Sequence, residues 1–222
     1  MAKNKTIFVC SDCGNESAKW LGKCPACGSW NSFYEQKIVE TKSAGSSKGI
    51  SAGNITPQAL NTYEAKETIR THTGFQELDR VLGGGIVKGS LVLVGGDPGI
   101  GKSTLLMQVS SKVANTNKKV LYISGEESES QIKMRASRLG VNSQNLYIFA
   151  ENNLSIIEAH LEKINPELII VDSIQTVYSP EISSAPGTVS QIKEGTSKFM
   201  KISKKMGIST FIVGHVTKEG VV

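Results

Sequence analysis

No apolar run in this chain approaches the roughly 18–20 residues that a helical membrane span needs, so the sequence gives no reason to expect a membrane protein. The opening Met1-Ala2-Lys3-Asn4-Lys5 is basic, but the apolar stretch behind it, Ile7-Phe8-Val9, is too short for the core of a signal peptide. The expected compartment is therefore the cytoplasm. No internal repeat is visible, which sets aside solenoid and propeller architectures. A strong excess of one charge sign is also missing. The balance of 25 Lys and Arg against 20 Asp and Glu leaves a net charge of +5, compatible with a nucleic-acid partner but not a demand for one. Cysteine is absent after residue 27, so sulfur chemistry is confined to the N-terminal end.

What remains is an ordinary soluble composition, 39% hydrophobic and 20% charged over 222 residues. That length can bury a full α/β core and still carry a small accessory module. The cysteines supply the module. Cys10, Cys13, Cys24 and Cys27 follow a C-x2-C-x10-C-x2-C spacing, with Gly14 and Gly28 directly behind the two pairs. Each C-x-x-C-G is a tight knuckle that aims two thiolates at one point, and two knuckles complete the soft ligand set of a closed tetrahedral zinc site. A redox C-x-x-C is usually single and sits beside a βαβ unit, while disulfides are rare in the cytosol. Closed sulfur coordination leaves no open position, so the zinc is expected to be structural. Residues 1–34 then form a C4 zinc ribbon, with Trp20, Trp30, Phe33 and Tyr34 expected to pack over the knuckles.

From about residue 35 to 69 the composition shifts to Ser, Gly, Ala, Lys and Thr without sustained periodicity, as in Lys42-Ser43-Ala44-Gly45-Ser46-Ser47-Lys48-Gly49. That composition reads as a flexible linker. From residue 70 to 222, short apolar runs alternate with helical patterns. Strands are expected at 91–94, 120–124, 145–149, 168–172 and 209–213, and helices near 103–115, 129–139, 153–164 and 190–206. This alternation predicts an α/β domain with a mostly parallel sheet and helices on both faces.

The first of those strands runs into Gly96-Asp97-Pro98-Gly99-Ile100-Gly101-Lys102-Ser103-Thr104, which satisfies the P-loop pattern G-x-x-x-x-G-K-[ST] at every fixed position. Glycines let the backbone fold round phosphate, and amide N–H groups at the helix start point at negative charge. Lys102 is expected to reach the β- and γ-phosphates, and the Ser103 hydroxyl to sit on Mg²⁺. A nucleoside triphosphate is the ligand this implies. Leu168-Ile169-Ile170-Val171-Asp172 is a second buried strand ending in an acid, the Walker B pattern, and Asp172 is expected beside Ser103 at the Mg²⁺. Hydrolysis further needs a residue that activates or positions water. Strand 120–124 runs into Gly125-Glu126-Glu127, at the sheet edge where open α/β folds bind ligands. Glu126 is the candidate base, with Glu127 second. The competing reading of each, stronger for Glu127 than for Glu126, is a first-turn acid of the next helix. His215 closes the last strand and is a candidate reporter of the γ-phosphate; His72 and His160 read as structural.

The run Thr73-Gly74-Phe75-Gln76-Glu77-Leu78-Asp79-Arg80-Val81-Leu82-Gly83-Gly84-Gly85 resembles the opening of RecA/KaiC-type ATPase cores. Joined to the ribbon with its C-P-A-C-G and W-N-S-F segments, the chain closely resembles the RadA (Sms) family of bacterial DNA-repair proteins. The segments Ile123–Ser128, Asp172–Thr176 and Val213–Gly220 are similar to that family's internal motifs. The resemblance implies a RecA-like P-loop NTPase core in a DNA-dependent ATPase that binds single-stranded DNA and drives branch migration of recombination intermediates. A homohexameric ring and the RecA recombinase as partner are implied with it. It supports Lys102, Ser103 and Asp172 in nucleotide and Mg²⁺ binding. It also places Glu126 where such enzymes carry the catalytic Glu, and His215 where they carry a γ-phosphate sensor. It makes 178–191 a DNA-facing loop, although those Ser, Pro and Gly residues by themselves read only as a flexible one. Family members continue past Gly220 into further core strands, a basic motif and a protease-like domain. This chain is therefore expected to be an N-terminal portion, with weak nucleotide binding, little turnover and an unpaired apolar sheet edge at Ile212 and Val213. The alternative is a KaiC-like protein in which nucleotide gates assembly or partner binding without unwinding.

Overall fold

The computed structural model describes residues 5–38, 59–60 and 69–215. Most of the expected linker, and the segment after His215, lie outside the described residues. No helix among those described is long and apolar enough to cross a membrane.

The N-terminal module is a three-stranded antiparallel sheet in which β1 (Lys5–Cys10) lies between β2 (Glu16–Ser17) and β3 (Phe33–Ile38). Its two knuckles share one geometry. Gly14 N–H donates to Cys10 O and Gly28 N–H to Cys24 O, each at 2.9 Å. The φ angles of 71° and 77° put both glycines in the left-handed region that a side chain disfavours. One expectation fails here. Of the aromatics placed over the knuckles, only Phe33 is buried, against Cys10 and Cys24. Trp20 and Trp30 are 52% and 71% exposed. The ribbon is too thin to cover two indoles. Trp20 is held at the surface by its Nε1–H, which donates to Phe33 O at 3.3 Å, and Lys23 Nζ stands 5.5 Å over the Trp30 ring. Tyr34 instead reaches the second domain, its hydroxyl 2.7 Å from Ser190 Oγ.

The second domain opens with a short hairpin, β4 (Arg70–Thr71) against β5 (Ile86–Val87), enclosing α1 (Gln76–Val81). Behind it come β6 (Leu91–Gly96), α2 (Lys102–Ala114), β7 (Val120–Ser124), α3 (Glu129–Arg138), β8 (Leu146–Phe149), α4 (Leu154–Ile164), β9 (Leu168–Asp172), α5 (Val189–Met206) and β10 (Ser209–His215). The five later strands are all parallel, in the order β6-β10-β9-β7-β8. Because side chains alternate across a strand, one set of residues faces each layer. Tyr122, Ile170, Phe211 and Val213 pack with Leu106, Met107 and Ile132 on one face, and Leu121, Ile123, Ile169, Val171 and Ile212 with Leu154, Ile157 and Phe199 on the other. Both faces are covered, which is why the central strands read as continuous apolar runs.

The strand order overturns the expected exposed edge at Ile212 and Val213. Strand β10 runs between β6 and β9, paired on both sides, and Ile212 and Val213 are buried. The edges of this sheet are β6 and β8, and Leu93 on β6 is half exposed.

The segment 178–191 is also not the free loop its composition predicts. Gln191 is buried and wires it to α5. Its Oε1 accepts from Ser179 N–H at 2.8 Å, and its Nε2 donates to the carbonyls of Ser179, Ile182 and Ser184 at 3.2, 3.1 and 2.9 Å. Gln191→Ala would strand these buried groups at about 1–3 kcal/mol. The expected result is faster amide exchange and proteolysis confined to 179–188, with exchange in β7 and β9 unchanged.

Candidate nucleotide site and metal centre

The P-loop lies between β6 and α2. Gly99 and Gly101, at φ of 80° and 101°, let the chain turn from strand to helix, and Gly101 caps α2 in the left-handed conformation. No side chain caps that helix start, so its first N–H groups face the loop, as anion binding requires. Lys102 is the first helical residue and is largely buried. Its ammonium donates to Gly96 O at 2.7 Å and Asp97 O at 2.8 Å, so it lies folded across the loop. Asp97, Pro98, Ile100 and Thr104 complete the segment.

Ser103 and Asp172, 69 residues apart, are brought together by the sheet. The Ser103 hydroxyl donates to Asp172 Oδ1 at 3.0 Å. A small hydroxyl beside a carboxylate at a phosphate-binding helix start is a donor set suited to Mg²⁺, a hard cation taking oxygen ligands. The other carboxylate oxygen, Oδ2, accepts from the Tyr122 hydroxyl. Burial, and then the negative charge of Asp172, push that phenol well above its ordinary range, so it stays a donor.

The two acids after β7 part company. Glu126 Oε1 accepts from Ser173 Oγ at 2.7 Å and lies 3.6 Å from His215 Nε2, so candidate base and candidate sensor are neighbours. Half of the Glu126 side chain is exposed, open to water and ligand. Glu127 is engaged elsewhere, 2.6 Å from the Arg135 guanidinium. Gly125 is needed where it stands, because a Cβ there would run into the Thr176 side chain. Gln175 Nε2 donates to His215 O at 3.4 Å. Of the other histidines, His72 Nδ1 is 3.3 Å from Asp79, and His160 packs against the Phe149 ring.

Tyr122, Arg135 and Ser173 were missed as site residues. Tyr122 sits in a strand that reads as core, yet its buried hydroxyl had to find a partner. Arg135 occupies the turn of α3 between the buried Ile132 and Ala136, and a charge on an apolar stripe signals an acid opposite.

In the ribbon, the sulfurs of Cys10, Cys13, Cys24 and Cys27 all lie within 4.8 Å of one another. Cys10 and Cys27 Sγ are 3.7 Å apart, and Cys13 and Cys24 Sγ 3.6 Å. A tetrahedron with zinc–sulfur bonds of about 2.3 Å has edges of about 3.8 Å, so the cluster already has the size of the ion. The Ser29 hydroxyl and N–H hold the Cys27 thiol down to about 6, supplying a thiolate near neutral pH.

Residues 59–221 match the family described as the AAA domain. The chain belongs to that family. Residues 8–35 match a second family, described as a rubredoxin metal binding domain, and the four-sulfur cluster makes the ribbon a structural zinc centre. The P-loop domain is consistent with Mg²⁺ and ATP as its ligands. Among curated relatives, the DNA repair protein RadA of Halalkalibacterium halodurans is 55% identical over 223 residues, taking in 100% of this chain and 49% of that protein. RadA of Bacillus subtilis is 51% identical, covering 99% and 48%, and RadA of Campylobacter jejuni 50% identical, covering 100% and 50%. The chain thus spans about half the length of the curated relatives it matches. A solved KaiC-like protein from Pyrococcus horikoshii has a TM-score of 0.56 at 20% identity, over 67% of this chain and 73% of that one, and shares the fold. The α/β architecture with a RecA-like core and C4 ribbon stands as the sequence predicted.

Proposed function

We propose that the chain carries the zinc ribbon and motor core of a cytoplasmic DNA-repair ATPase that acts in recombination. The observation that carries this reading is the meeting of Ser103 and Asp172 at 3.0 Å beside Lys102 and an uncapped helix start, in a chain about half identical to proteins named for DNA repair. In the finer form of the proposal, the protein is stimulated by single-stranded DNA, migrates branches of recombination intermediates, assembles as a homohexamer and works with the RecA recombinase.

The residues divide the chemistry. Amides of the loop from Gly96 to Thr104 surround the phosphates, and Lys102 gives up the Gly96 and Asp97 carbonyls to neutralise charge on the β- and γ-phosphates. Ser103 and Asp172 would hold Mg²⁺, which when bound draws electron density from the phosphate oxygens. Glu126, fixed by Ser173, would take a proton from the attacking water, and His215 beside it would register the loss of the γ-phosphate. The segment 178–191 follows β9 and ends in α5, so DNA bound there would act on the strand that carries Asp172.

ATP hydrolysis by this chain, and by a version extended to the length of its relatives, measured with and without single-stranded DNA, tests the proposal. Stimulation is expected in the longer form, with affinity falling linearly in log–log against salt as phosphates are neutralised by Lys and Arg. Salt-independent binding, or nucleotide-driven assembly with no response to DNA, would instead support the KaiC-like gating alternative.

A further inference from the structure

Asp172 offers two carboxylate oxygens, and the fold treats them differently. Oδ1 faces the P-loop and accepts from Ser103. Oδ2 turns the other way, accepting from the Tyr122 hydroxyl and lying 3.8 Å from Arg135 Nη2. The sheet register pairs Ser124 with Asp172 and Tyr122 with Ile170, so Tyr122 lies on the diagonal from Asp172 and on the same face of the sheet. Arg135 arrives from α3 above them. Its Nη2 donates to Tyr122 Oη at 3.1 Å and forms an ion pair with Glu127 Oε2 at 2.6 Å, and its side chain is 12% exposed. Its Nε–H is buried with no partner among the described residues.

A guanidinium held this way is a poor choice for fixing α3 alone. Burying a charged donor with one N–H unpaired is unfavourable, and an apolar side chain between Ile132 and Ala136 would pack the helix at less cost. What the guanidinium adds is a link. It joins the strand end at Glu127, next to Glu126, with the phenol that grips Asp172. Partners behind a metal ligand fix its orientation and tune its affinity.

Taking Asp172 as the metal-facing acid of the nucleotide site, we propose that Tyr122 and Arg135 are positioning residues that clamp Oδ2, keep Oδ1 aimed beside Ser103, and through Glu127 couple that aim to the strand end bearing Glu126. Among the described residues, neither hydrogen-bonds or ion-pairs with the phosphate loop, so their effect should show in the metal dependence of nucleotide binding rather than in binding itself.

The test is calorimetric titration of the full chain with the non-hydrolysable analogue AMP-PNP over a series of Mg²⁺ concentrations, beginning at zero. For Tyr122→Phe, which removes one hydroxyl and keeps the ring, the Mg²⁺ needed for half-maximal tightening should rise about tenfold, the loss typical of a partner behind a metal ligand. Binding without Mg²⁺ should be unchanged. Arg135→Gln should move in the same direction, and Arg135→Lys should recover part of the shift, because an ammonium keeps the charge facing Glu127 but not the planar fork that also reaches Tyr122. Unchanged Mg²⁺ dependence in Tyr122→Phe and Arg135→Gln would overturn the clamp. So would an equal loss with and without Mg²⁺ accompanied by a lower melting temperature, which would make the pair merely structural. A wild-type chain whose AMP-PNP binding ignores Mg²⁺ would sink the nucleotide-site reading itself.

Discussion

Lys102→Ala is expected to weaken ATP binding on the order of a hundredfold, the worth of one or two charge-assisted hydrogen bonds at about 1.5–3 kcal/mol each. The ammonium bonds the carbonyls of Gly96 and Asp97 inside the loop, whereas the guanidinium behind Asp172, that of Arg135, is committed to Glu127 and Tyr122. Glu126→Gln should give the opposite signature. The amide keeps the shape and the Ser173 hydrogen bond but cannot take a proton, so binding should persist while turnover falls by about 10²–10⁴. Equilibrium binding of a fluorescent ATP analogue, paired with phosphate release in a form of the protein that turns over, separates the two. Equal loss of binding in both variants would show that Glu126 supports the site rather than the chemistry. If Glu127→Gln alone abolished turnover, the base would lie at the neighbouring position. The structure argues against that outcome, since Glu127 is paired with Arg135.

The parts of this chain legible in the sequence are those dictated locally. A phosphate loop needs glycines where φ is positive and a Lys-Ser at the helix start, and each requirement is met by a residue type at a fixed offset. Strand and helix positions came out within a few residues for the same reason. Apolar runs bounded by Gly, Asn and Ser leave little freedom, and β7 and β9 have the expected limits of 120–124 and 168–172. Strand order is a different kind of information. Nothing in Ser209–His215 says that this last strand enters between β6 and β9, because the pairing partners are more than a hundred residues away in one case and about forty in the other. The clamp on Asp172 was hidden likewise, with Tyr122 and Asp172 separated by 50 positions. Gln191 misled for a subtler reason. Composition reports how a loop's own residues behave in water, while its order here comes from one buried amide on the following helix.

Removal of zinc should unfold the ribbon and leave the ATPase core standing. Among the described residues, the ribbon buries beyond Val9 little more than Cys10, Cys24 and Phe33, far too little apolar area to hold a module of that size. Its folding free energy must therefore come from the metal, about 10–16 kcal/mol for structural zinc in comparable small modules. Cys24→Ser takes one sulfur from the centre of the cluster, where the side chain is almost fully buried and 3.6 Å from Cys13 Sγ. The expected result is loss of the stoichiometric zinc of the wild type. The readout can be made specific, because the chain's 2 tryptophans, Trp20 and Trp30, both lie in the ribbon. Their emission should shift on chelation or in Cys24→Ser, as the Trp20 bond to Phe33 O and the Lys23 contact with Trp30 are lost. Circular dichroism of the core should hardly change. The core layers on both faces of the sheet contain no ribbon residue, and the ribbon's contacts with the core, the hydrogen bond between the Tyr34 and Ser190 hydroxyls and Gly14 beside Val189 and Lys193, are too small to transmit unfolding. Wild-type zinc content in Cys24→Ser would refute the four-sulfur site. Loss of core helicity together with the tryptophan shift would show that ribbon and core fold as one unit.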